Sequence, residues 1–203
     1  LPAGSGPRLK KAMHSMWHSI LSTLERKFNA DSYHTRIESI RQVTSQQQQN
    51  ALIELTQEGE ALDLRLVSRN EEHRFVPVQH VDEQAYEKKS AVTELAPELT
   101  EADIDGLSLP ERARIAANMR QMDKKLERLG SQLGQMEEQA RASVSKLNTE
   151  LATAVVIPKI NQIAQRFEHV QGLDTYLKAY AQDVIHHVEH ILAQEEDDFL
   201  PGI

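Results

Sequence analysis

Residues 108–157 read SLPERARIAANMRQMDKKLERLGSQLGQMEEQARASVSKLNTELATAVVI, and this stretch decides the fold. Ser108, Pro110 and Glu111 form a helix-start signal: a hydroxyl at the N-cap, proline in the first turn, and a carboxylate closing a capping box. Apolar residues follow at Ile115, Met119, Met122, Leu126, Leu129, Leu133, Met136 and Ala140, in alternating steps of four and three. Such spacing lays one narrow stripe along a helix, the seam a coiled coil requires. After Ala140 the phase slips, and the stripe resumes at Val144, Leu147, Leu151 and Val155. Two successive four-residue steps are a stutter, which locally unwinds a supercoil. A helix of this length needs another long element to cover its stripe. The expected fold is therefore mainly α, an elongated antiparallel helical bundle or coiled coil with a small β-hairpin.

Working outward, residues 1–7 read as a connecting segment and residues 8–57 as an N-terminal helical pair. The first helix carries Leu9, Met13, Trp17, Ile20, Leu24 and Phe28 on one face. The second, capped by Asp31 or Ser32, carries Tyr33, Ile37, Ile40, Val43, Ala51 and Leu55, and Gly59 is read as its end. Glutamine favours helix, so the polar run Gln46 to Asn50 reads as a solvated mid-helix. Over residues 60–81 the period drops to two. Leu62, Leu64 and Leu66 alternate with other residues, and Phe75, Val76 and Val78 follow a polar turn. That is a hairpin, with Pro77 expected to hold its second strand at an edge. Residues 82–107 read as a polar linker with short helices, one opened by Thr100. Residues 108–171 form the long helix, with a kink near Pro158 because proline lacks a backbone donor. Gly172 separates it from residues 173–203, a C-terminal helix with Leu177, Ala181, Val184, Val188 and Ile191, followed by an acidic exit segment.

Composition bounds the function. Hydrophobic residues make up 39% and aromatics 4%, which suits a thin helical core. The absence of cysteine excludes disulfides and thiolate zinc sites. No apolar run is long enough to span a bilayer. The first residue is Leu1 and not Met, which reads as a piece of a longer protein. Net charge is −8, which argues against a general nucleic-acid binder. Residues 1–50 hold seven Lys or Arg against three acids, a balance of +4, whereas residues 168–198 hold eight acids against Lys178, a balance of −7. Solvated faces of opposite sign explain this simply. The sharper reading places these two terminal regions side by side, and an insertion into a parent domain would separately bring Leu1–Pro7 near Phe199–Ile203.

Chemistry-bearing motifs are sparse. His186-His187-Val188-Glu189-His190 contains His-x-x-Glu-His, in which two histidines share a helix face and the glutamate would serve as base. A third protein ligand is normally supplied well downstream, and only thirteen residues follow. Surface histidines, or opportunistic metal binding by the His186–His190 pair, are the plainer accounts. Gly4-Ser-Gly6 with Lys10 and Lys11 lacks the spacing of a phosphate loop, and no Gly-x-Ser-x-Gly or Ser-x-x-Lys motif occurs. The residues alone describe a helical interaction or scaffold domain with no catalytic, cofactor-binding or metal residue of its own.

Several segments in order resemble bacterial Lon-like ATP-dependent proteases of the LonB type, in the large helical insertion of their AAA+ module. They are Leu1-Pro-Ala-Gly-Ser-Gly6 with a basic amphipathic helix after it, Ser32-Tyr33-His34, Phe75-Val76-Pro77-Val78, Leu107-Ser-Leu-Pro-Glu-Arg112, Leu147-Asn148-Thr149-Glu150 and Asp197-Asp198-Phe199-Leu200. The resemblance implies a cytoplasmic parent enzyme that binds ATP and Mg, forms a homo-oligomeric ring and threads protein substrates towards a Ser–Lys dyad. Neither the nucleotide loop nor the dyad lies in these residues, so the segment itself is expected to be non-catalytic. A free-standing coiled-coil adaptor that binds partners through its apolar stripe is the alternative.

Overall fold

A computed structural model describes residues 5–69, 72–79 and 97–191. The chain is mainly helical with one two-stranded antiparallel hairpin: α1 (Ser5–Phe28), α2 (Asp31–Glu60), β1 (Leu64–Arg69), β2 (Glu72–Pro77), α3 (Glu101–Gly106), α4 (Leu109–Arg166) and α5 (Leu173–His186). Two compact units divide it. One holds the described residues up to Gln42 and from Gln139 onward; the other is Val43–Glu138. The division falls where the sequence stripe loses phase, between Met136 and Val144.

In the first unit, Ala12, Met16, Ile20 and Leu24 of α1 pack with Ala152, Val155, Val156, Ile160 and Ile163 of α4 and with Leu173, Leu177, Ala181 and Val184 of α5. Leu9, Met13, Trp17 and Phe28 flank this core and are only partly buried. The buried line of α1 is thus rotated slightly from the face read in the sequence. Three helices meet here, so α4 buries a wider face than a two-helix seam needs.

The second unit buries Leu55, Leu64, Phe75, Met122 and Leu129, with Leu126 and Leu133 half-buried beside them. The stripe therefore does face a partner, but alternate positions carry the burial. Lys125 and Glu58 form an ion pair at its surface.

Several boundaries differ from the sequence reading. Helix α2 starts at Asp31, so Asp31 occupies the first turn, where its charge suits the helix dipole. Its polar middle is helical, and Gln46 Nε2 donates to Asn50 Oδ1 at 2.9 Å. Val43, expected on the apolar face, is 54% exposed. Gly59 lies inside the last turn of α2 and is buried there. Asp63 makes the turn into β1 with φ 59°, a left-handed conformation that aspartate tolerates better than most residues.

The hairpin pairs Leu64 with Pro77, Leu66 with Phe75 and Arg69 with Glu72. Among the described residues β2 pairs only with β1, apart from an isolated Val78–Glu98 bridge, so it is the edge strand expected from Pro77. The Pro77 carbonyl accepts from Leu99 N–H at 2.9 Å, and Gln79 N–H donates to the Pro97 carbonyl at 3.1 Å. Proline lost only a donor; its acceptor still recruits residues 97–99. The 82–107 linker expectation falls largely outside the described residues, but α3 begins where Thr100 predicted.

Thr100 and Asp103 form a reciprocal capping box. At the start of α4, the Ser108 N–H and hydroxyl both donate to Glu111 Oε2, at 2.9 and 2.6 Å. These bonds hold both carboxyls below their usual range: Thr100 does so for Asp103, Ser108 for Glu111. A lowered folded pKa gives stability above the unfolded value and loses it as pH falls through the folded one. Acidification from neutrality to below the carboxylate range should therefore loosen both helix starts. Amide NMR signals of Asp103 and Ser108 should move with pH, and Asp103→Asn and Glu111→Gln should each abolish their own step.

Pro158 lies within α4 and does not end it. The missing N–H costs one helical bond, but Val155, Val156, Ile160 and Ile163 are buried around it, and their packing holds the helix. Helix α4 stops at Arg166, five residues before the expected Gln171. Val170 N–H then bonds Phe167 O and Leu173 N–H bonds Val170 O, and Gly172 at φ 79° turns the chain into α5.

Gly130 and Gly134 lie in α4 with nothing within 4 Å of the position of an added Cβ. Alanine at either site should stabilise the chain by about 0.5–1 kcal/mol through helix propensity alone. Urea titration of Gly130→Ala checks this, and a lowered midpoint would reveal a contact that the free space denies.

Candidate functional site

Among the described residues, basic side chains from two helices line a groove in the first unit, between α1 and the last turns of α4. Arg8, Lys11, Ser15 and Ser19 line one wall and Lys159, Gln162 and Arg166 the other, over a floor of Ala12, Met16 and Ile163. Its volume is about 440 Å³. The wall on α1 follows from helical spacing, since residues three and four apart share a face. No acid occurs between Ser5 and Leu24. None of the four cations has a carboxylate partner among the described residues. Sequence reading registers the basic balance of residues 1–50 but misses the groove, because its second wall lies about 150 residues further along the chain. The available signal was the acid-free run of α1.

Lys159 Nζ donates to Ser19 Oγ at 2.5 Å. A serine–lysine pair invites a nucleophile–base reading, which fails here on two physical grounds. Ser19 is exposed and Lys159 only half-buried, whereas a lysine base works from a desolvated pocket. Both residues are mid-helix, where backbone N–H groups already serve the helix and cannot form an oxyanion hole. The contact closes the groove's inner end.

A second polar constellation ties three segments of the same unit together. Tyr33 Oη donates to Asn148 Oδ1 at 2.9 Å, and Asn148 Nδ2 donates to Glu189 Oε1 at 2.6 Å. Asn148 is a buried polar residue, 5% exposed, and its two bonds satisfy both ends of the amide. Burial, and then the Glu189 charge, push the Tyr33 phenol above its usual range, so it remains a donor at neutral pH. Replacing Asn148 with alanine strands both partners and should cost about 1–3 kcal/mol. Equilibrium unfolding measures this, and a loss within error would mean that water replaces the amide.

The histidine cluster is dispersed in role. Helix α5 ends at His186, and His187 Nδ1 lies 3.2 Å from an Asp183 carboxylate oxygen. Val188 is buried in the core, and Glu189 is engaged by Asn148. Glu189, the base of the zinc motif, thus has a structural bond. Among the described residues, no three His, Asp or Glu side chains gather as a metal site would need.

Basic residues also line a shallow surface in the second unit: Arg120, Lys124, Lys125 and Arg128. Lys125 there is paired with Glu58. No helix among the described residues is long and apolar enough to cross a membrane. The sequence and fold match no protein-family model, no curated protein and no solved structure.

Proposed function

We propose that this chain is a non-catalytic helical domain of a Lon-like, LonB-type ATP-dependent serine protease of the AAA+ class, and that it helps engage protein substrates. The observation that carries the reading is the order of the motifs from Leu1-Pro-Ala-Gly-Ser-Gly6 through Leu107–Arg112 to Asp197–Leu200. The parent would be a cytoplasmic homo-oligomer, with ATP, Mg and the Ser–Lys dyad held outside these residues.

The gene that encodes the chain tests this directly. An upstream Gly-x-x-x-x-Gly-Lys-[Ser/Thr] and a downstream Ser–Lys protease domain are expected, and the full product should degrade an unfolded protein only with ATP. A gene lacking both segments would overturn the proposal in favour of the free-standing adaptor.

A further inference from the structure

We propose that the basic groove between α1 and the end of α4 is a docking site for an extended acidic polypeptide segment. The groove's charge is the first reason. Arg8, Lys11, Lys159 and Arg166 line it with no acid among the lining residues, in a chain whose net charge is −8. The first turn of α1 contains no acid at its positive dipole end, and Arg8 and Arg166 together outweigh the negative end of α4 beside it. Cations near a helix N-terminus repel that dipole, and a bound anion relieves the repulsion.

Shape selects among anions. Arg8 and Ser19 are eleven residues apart on α1, which spreads the wall over about 16 Å. A single phosphate would need converging donors; an extended chain meets these one after another. The floor of Ala12, Met16 and Ile163 is apolar, while Ser15, Ser19 and Gln162 offer hydrogen bonds to a peptide backbone. Single-stranded nucleic acid fits less well, because no aromatic side chain lines the groove for bases to stack on. Acidic side chains for the walls and small apolar ones for the floor describe a polypeptide. The proposal does not rest on the protease reading and holds equally for an adaptor.

The test is fluorescence polarisation on the full chain with a fluorescein-labelled peptide of about ten residues, Asp and Glu interspersed with Leu. Binding should weaken with added salt. Arg8→Gln with Lys11→Gln, and separately Lys159→Gln, should each reduce affinity about tenfold or more, as expected when complementary charges are removed from an interface. Lys124→Gln with Arg128→Gln, in the second unit, should leave affinity unchanged. Circular dichroism checks that the groove variants keep their helices. Equal affinity in folded groove variants and the parent chain overturns the proposal. So does tighter binding of a single-stranded oligonucleotide that the groove substitutions abolish, which would make the ligand a nucleic acid.

Discussion

Leu177→Ala is expected to destabilise the first unit by about 2–5 kcal/mol, the range for removing a large side chain from a packed core. Leu177 has no exposed surface and belongs to a cluster in which Ile20, Leu24 and Val156 are equally enclosed. Surrounding helices cannot close the resulting void without moving one another. Neighbouring Tyr176 is 59% exposed, and Tyr176→Ala should fall within about 0.5 kcal/mol of the parent chain. Trp17, the sole tryptophan, packs against this core and lies 6.1 Å from Tyr180 between ring centroids. Its fluorescence during urea unfolding therefore reports the first unit. An unchanged midpoint for Leu177→Ala would show that the three-helix core is loosely packed.

Much of this architecture was legible because helices announce themselves by period. The α4 stripe, the α1 face and the alternation around Leu64 and Leu66 each come from side-chain geometry that short-range spacing encodes. The phase slip at Ala140 even marked where the two units divide. What spacing could not encode was partnership. Asn148 is polar and interrupts the apolar pattern, yet it is buried because Tyr33 and Glu189 supply its bonds. Pro77 lies on an edge strand, as its missing donor foretells, but the Leu99 N–H that meets its carbonyl is not visible in the sequence. Pro158 announces a lost backbone donor, but the buried residues on both sides that keep α4 continuous are not visible at that position. The basic groove required two helices distant in sequence to meet. The histidine motif shows the same limit, since its spacing fits a metal site but does not reveal that its glutamate is engaged by Asn148.

Gly59 makes the sharpest case for partnership over local code. Near the end of a helix, glycine usually reads as a stop signal, but α2 continues to Glu60. The glycine is there because Phe75 of β2 packs onto the helix backbone. A Cβ at position 59 would sit 2.4 Å from Phe75 Cε1, 3.0 Å from its Cδ1 and 3.3 Å from the Leu64 carbonyl oxygen. Phe75 is only 1% exposed, so its ring has no free space to retreat into. Alanine gains about 1 kcal/mol of helix propensity over glycine. Overpacking a tight core costs about 1–3 kcal/mol and sometimes more, and the approach at 2.4 Å belongs at the severe end. Gly59→Ala should therefore be net destabilising by about 1–2 kcal/mol, opposite in sign to the same change at Gly130. Thermal unfolding followed by circular dichroism measures both. Pairing Gly59→Ala with Phe75→Leu isolates the cause: relief of the clash should make the double variant lose less than the sum of the single losses. Strict additivity would mean that the ring and the helix backbone do not compete for this space.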